Sequence, residues 1–470
     1  MRKIFSILFL MSSLLLSGCS SSGGDNGAGG GSPVAGNPTP DPGTGSPGGK
    51  TWRTPRVLDE QSTGSDGQSL AVDAGGNVYA LWRQAQNGDT ALLVRTHTQD
   101  WNAPAMLASG SIGTPTSIAA GANGNAIAGW SQTDEFGNVN AHTRAFAGVA
   151  WGAPQRLNAL SPHQQAPEPC GCRATHSSPV LALAPNGQMA AAWQGDINTS
   201  DDIPVAWMSR GTLGAEWSPG RRDGSRFPFS LSIATNAQGD AAMAFSQSSD
   251  GSASFSWFGN YSPAGTTGWA NSFHVEGTAN NFPVSPVQIA VSTEPGMGAL
   301  YVLAYQTWPP VPASAQYIYS ARVFQGPLER LSDNPNSDKP QMSTDANGNA
   351  LLVWRQLDGS HRLRSLRYVA GAWQQPSTGL PTDADVDNPV LAVAGNGSAV
   401  AAWERHGADG SHIYASRFTV GSGWSAQQRV DNAAADATNP RVVVDGQGNV
   451  TVIWQQRIDN VIHVLAARFE

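Results

Sequence analysis

One pattern recurs along this chain: a turn rich in Gly and Asn, a short apolar strand-like run, then an aromatic residue. It is clearest in Asp345-Ala346-Asn347-Gly348-Asn349 before Ala350 to Trp354, and in Asp445-Gly446-Gln447-Gly448-Asn449 before Val450 to Trp454. The closing aromatic falls at Trp82, Trp130, Trp193, Phe245, Tyr305, Trp354, Trp403 and Trp454, at spacings of 48 to 63 residues. A period near 50 belongs to solenoids and propellers. Because the recurring residues are turn formers, small apolar residues and Trp, they specify architecture rather than chemistry.

Each unit reads as four strands. The turn with its flanking apolar runs is a hairpin signature. A third strand follows, as in Ala91 to Arg95, Ala141 to Arg144, Tyr414 to Phe418 and Leu465 to Phe469. A second Trp opens a fourth, with Pro close behind in Trp101-Asn102-Ala103-Pro104 and Trp151-Gly152-Ala153-Pro154, at a place only an edge strand would tolerate. Four antiparallel strands per unit make a propeller blade, so the expected fold is an all-β, eight-bladed β-propeller. The first unit begins with an orphan fourth strand, Thr51 to Leu58, and the last stops after its third, which predicts closure of the ring by pairing of the two ends. The repeat Trp side chains are expected to pack between neighbouring blades.

The first 50 residues are of another kind. Arg2-Lys3, the apolar stretch Ile4 to Leu16, and Leu16-Ser17-Gly18-Cys19 resemble the bacterial lipoprotein signal with its lipobox, the apolar run being short for a membrane span. The resemblance implies a signal peptide at 1–18, lipidation of Cys19 by several acyl chains, palmitate among them, and membrane anchorage. Ser20 after the Cys implies outer-membrane sorting in enteric-type bacteria. Residues 19–50 comprise this Cys and a tether dominated by Gly, Ser and Pro, unable to bury enough surface to fold and reaching roughly 30 Å on average. The propeller is assigned to 51–470. Without residues 1–18 the formal charge is about −10, which argues against nucleic acid as a partner.

Candidate chemistry is sparse. Cys170 and Cys172, in the long insertion Asn158 to Pro179, admit three readings: a tight disulfide, a thiol-exchange site, or, with His163 and His176, a two-Cys, two-His metal site. The Asp73, Asp345 and Asp445 turns invite calcium, but most units replace the Asp, and turn chemistry explains the pattern better. No cofactor is expected, with Ca as a secondary option at Asp383, Asp385 and Asp387, spaced two apart. These acids and Trp308 lie on the loop-rich face that should carry function. The likeness to sialidases is one of propeller architecture; the Asp-box spacing is absent from Ser343 to Trp354, and no catalytic residue is carried over. The recurrent Arg95, Arg144, Arg322, Arg367, Arg417 and Arg468 read as structural pairings. The expected function is a monomeric, membrane-anchored envelope module that binds or scaffolds a protein or glycan. The alternative is a glycan-active hydrolase or lyase with its site at the central channel mouth.

Overall fold

A computed structural model describes residues 49–60, 63–86, 88–158, 175–196, 204–222, 228–248, 255–270, 273–276, 282–283, 287–291, 299–306, 315–322, 325–382, 385–431 and 436–470. Lys50–Glu470 forms one compact unit. It is an all-β propeller of four-stranded antiparallel blades. Seven sheets, numbered here in chain order, are each built from strands consecutive in sequence. The first contains Ser65–Val72, Val78–Gln86, Asp89–His97 and Ala105–Gly110. The seventh contains Val386–Val393, Ala399–Gly407, Gly410–Thr419 and Gly423–Trp424, with Gln428–Arg429 also on its third strand. The fifth is irregular, because Phe282–Pro283 and Gln288–Val291 both pair with Ala299–Gln306. A remaining sheet joins the first and last strands of this unit: Ala437–Val444, Val450–Ile458 and Val461–Phe469 accept Arg56–Val57, with Arg56 opposite Ala466 and Val57 opposite Leu465.

The hairpin turns follow from their residues. Asp345 Oδ1 accepts the backbone N–H groups of Asn347 and Asn349, both at 2.9 Å, and Oδ2 accepts Asn349 Nδ2 at 2.8 Å. Asp445 repeats these contacts with Gln447 and Asn449, and Asp73 with Gly75 and Asn77. Gly348 and Gly448 take φ near +79° and +76°, where a Cβ is penalised.

The core is divided among the seams between sheets. Trp454 packs with Val400, Ala402 and Ile413 of the seventh sheet. Trp403 packs with Leu351, Val353 and Leu363 of the sixth, and Trp354 with Ala290 and Ile318 of the fifth. Trp82 packs with Val443, Ile453 and Val464 of the sheet that carries the last three strands. Each aromatic therefore faces the sheet before its own, and each ring can bury on the order of 150–250 Å².

Two polar devices tie these apolar seams. A buried indole N–H needs an acceptor, and a Gln two residues on supplies it: Trp82 donates to Gln84 (3.2 Å), Trp130 to Gln132 (3.1 Å), Trp354 to Gln356 (3.4 Å) and Trp454 to Gln456 (2.9 Å). Where that residue is Gly195 or Arg405, the N–H of Trp193 or Trp403 has no partner among the described residues. The second device crosses seams. Trp217, Trp373 and Trp424 donate to Thr143, Ser320 and Ser365, each on the third strand of the preceding sheet, at 2.9 to 3.0 Å. The third-strand arginines act similarly: Arg367 lies over Phe418 and Arg417 over Phe469, each on the following sheet.

The second Trp does not always open the fourth strand, as its sequence position suggests. Trp52, Trp101 and Trp151 form isolated bridges back to the ends of their third strands. The ladder resumes at Arg56, Ala105 and Gln155, each directly after a proline that has no N–H to contribute.

Candidate functional site

Polar groups converge on the first and second strands of several sheets. Five first strands slip register near their start, between Asp66 and Ser69, Phe229 and Ser232, Asp338 and Gln341, Asp387 and Val390, and Thr438 and Arg441. At each slip one residue adopts a left-handed conformation: Gly67, Ser230, Lys339, Asn388 and Asn439, with φ between +44° and +63°. In three of them the next residue is Pro340, Pro389 or Pro440, which cannot donate to the ladder, so a bulge forms there. Lys339 reaches across to Asp387 and Asn388 of the next sheet, whereas the Asp66, Asp338 and Asn439 side chains meet second-strand partners in their own sheets.

A network results that runs from Asp338 to Gln68, with the Arg83–Asp66 pair as a separate contact. Arg355 binds Asp338 through two parallel contacts (2.8 and 2.5 Å) and also reaches Asp387 Oδ1 at 2.9 Å. Lys339 Nζ contacts the same Asp387 oxygen and Asn388 Oδ1 (2.9 Å). Burial pushes the Asp387 pKa up, but Lys339, the Asn388 backbone N–H and Arg355 outweigh it and hold the group below the ordinary carboxylate range. The contact with Asp338 raises the Arg355 pKa, against burial. Glu404, buried, accepts Asn388 Nδ2 (2.8 Å) and the Asn439 backbone N–H (2.6 Å). Asn439 passes the chain of contacts to Gln455 (2.7 Å) and Gln68 (2.8 Å), and Arg83 grips Asp66 (2.8 and 2.7 Å).

Asp66, Asp338, Asp387 and Glu404 are thus each held by cationic or amide donors, an arrangement that cross-links sheets. Arg441 differs. It is exposed, yet enough protein surrounds it that burial lowers its pKa, with Glu404 offsetting in part. Arginine stays charged even so, which leaves an accessible cation beside the network.

Of the site residues expected from sequence, Cys19, His163, Cys170, Cys172, Trp308 and Asp383 lie outside the described residues. Asp385 is exposed at φ +59°, and its carbonyl accepts the His406 N–H at 2.9 Å. Asp387 belongs to the network. His176 is buried, edge-on to Trp207 at 6.4 Å; burial first, then Arg156, push its pKa down to about 4. Among the described residues no three His, Cys, Asp or Glu side chains gather as a metal site. Sequence reasoning missed Asp66, Arg83, Asp338, Lys339, Arg355, Glu404 and Asn439. The available signal was the recurrence of Lys339-Pro340, Asn388-Pro389 and Asn439-Pro440 at one place in the repeat.

No protein-family model and no curated protein matches this chain. Among solved structures it is similar to the Hadza microbial sialidase Hz136, at 12% identity over 88% of this chain and 68% of that one, with a TM-score of 0.40. It is similar also to a polysaccharide lyase PL25 ulvan lyase, at 11% identity over 73% and 89%, TM-score 0.42. A third is the Penicillium chrysogenum α-L-arabinanase, at 11% identity over 89% and 98%, TM-score 0.36. At these values none assigns an activity, and the fold rests on the sheets described above.

Proposed function

We propose that this protein is a lipid-anchored binding or scaffolding module of the bacterial envelope, with a closed ring of eight blades that presents the first-strand polar layer to an envelope protein or glycan. The reading of ring closure is supported by Arg56–Val57 on the last strand, by backbone bonds between Thr51 and Glu470 in both directions, and by the core that Trp82 shares with the final sheet. The anchor reading is supported by Leu16-Ser17-Gly18-Cys19 after a short apolar run and implies residence at the outer membrane.

One observation carries the binding reading. The carboxylates of the polar layer are spent on Arg355, Lys339, Arg83 and amide donors, and Asp387 is held ionised. Glycoside hydrolysis needs a carboxylic acid that is still protonated at working pH, whereas a recognition surface needs its groups fixed in place. The test uses full-length protein, captured partners from envelope extract, and rebinding of each identified partner to purified protein. Arg441→Ala and Asp385→Ala should each weaken rebinding at least ten-fold. Unchanged binding by both variants would overturn the assignment of this face.

A further inference from the structure

Arg441 stands apart from the pairings of the polar layer. It lies on the first strand of the last sheet, opposite Ile453 and two residues past the bulge at Asn439. The first strands of the first and seventh sheets lie on either side of that strand, and Gln68 and Glu404 tie them to it through the Asn439 carbonyl and N–H. In six other sheets the matching place, opposite the residue before the closing aromatic, is held by Ser69, Ser117, Val180, Ser232, Gln341 and Val390. Arg441 is therefore the only charged residue at that register in these seven sheets.

Its contacts leave that charge unanswered. Nη1 donates to the neighbouring Pro440 carbonyl at 2.8 Å, and no carboxylate of the described residues pairs with the guanidinium. Glu404, the acid whose field reaches it, is already occupied by Asn388 Nδ2 and the Asn439 N–H. The side chain is open to solvent, yet the protein around it is close enough for burial to lower its pKa. A cation so placed is incompletely hydrated and gains from an anion that reaches it. The guanidinium fork matches a planar carboxylate or a phosphate, and the field of Glu404 disfavours the more highly charged phosphate. Ser69 on the flanking strand, and Ser117, Ser232 and Gln341 at matching places, carry hydroxyl and amide groups that both donate and accept, as sugar hydroxyls require. Resting on the reading of this face as a binding surface, we propose that Arg441 receives the carboxylate of a sugar acid.

The test titrates full-length protein with glucuronate, glucose, N-acetylglycine and inorganic phosphate by calorimetry at low salt. Glucuronate should bind at least ten-fold more tightly than glucose, and more tightly than N-acetylglycine or phosphate, with its advantage over glucose shrinking as salt is raised. Arg441→Gln should bring glucuronate and glucose within two-fold of each other. Arg441→Lys keeps the charge without the planar fork and should retain part of the advantage, which separates loss of the contact from loss of the fold. Equal binding of glucuronate and glucose by the unaltered protein, or an advantage that survives Arg441→Gln, would overturn the proposal. So would tighter binding of phosphate, or of N-acetylglycine, which would point to a peptide end instead. An envelope partner whose rebinding depends on Arg441 while glucuronate fails to bind would overturn the sugar acid alone and leave the module reading standing.

Discussion

Replacing Gln456 by leucine keeps the volume of a buried side chain nearly constant and removes one acceptor. Gln456 is 2% exposed and Trp454 fully buried, and a 2.9 Å bond from the indole N–H joins them. An unsatisfied buried donor costs about 1–3 kcal/mol, and the high burial on both sides places Gln456→Leu near the middle, at about 2 kcal/mol. Urea denaturation read by tryptophan fluorescence measures it, with the exposed turn variant Gln447→Leu as a reference expected within about 0.5 kcal/mol of the parent. Trp454→Phe removes the donor itself, so in its background Gln456→Leu should cost less by about 1 kcal/mol or more. Trp193 and Trp403, which lack a Gln two residues on, offer the converse test: Arg405→Gln should stabilise. A Gln456→Leu effect below about 0.5 kcal/mol, or a coupling of zero with Trp454→Phe, would refute the idea that the Trp-x-Gln spacing ties the blade seams that carry it.

Other expectations follow from the same structure. Because the folded-state pKa of Asp387 is depressed, its contribution is present above the ordinary carboxylate pKa and is lost as pH falls through the lower folded value; Lys339→Met should flatten the acid limb of a stability–pH curve. His176 is held neutral with a pKa of about 4, so the folded state binds fewer protons than the unfolded one between about pH 4 and 6.5. Stability should fall across that window on acidification, and His176→Phe should reduce the slope. From sequence alone, the proposed lipobox Leu16-Ser17-Gly18-Cys19 expects Cys19→Ala to abolish incorporation of labelled fatty acid and to release the protein from the membrane fraction.

Architecture was legible because it is written in repetition. Asp345-Ala346-Asn347-Gly348 and its counterparts fix the hairpins through contacts within five residues, and the period of the closing aromatics marks the seams. In the units of Trp52, Trp101 and Trp151 the fourth strand was misplaced by four residues, because the Trp bridges back to the end of the third strand, as Trp101 does to His97, and the ladder resumes only after the proline. The polar layer was not legible. Asp338 and Arg355 are 17 residues apart, and Lys339 and Asp387 are 48 apart; only the bulges and the side-by-side first strands bring them together. Asp387 drew notice as one of three spaced acids, but its partners come from the sixth sheet, and no local pattern announces them.

Incubation of full-length protein with isolated envelope polysaccharides, following bound ligand and newly formed chain ends in the same samples, tests the binding reading most directly. The expected result is retention of a glycan or glycan-bearing partner that Arg441→Ala weakens at least ten-fold, with no new chain ends over background. Chain ends that accumulate with the unaltered protein and vanish with Asp338→Asn would contradict it and make the polar layer an active site.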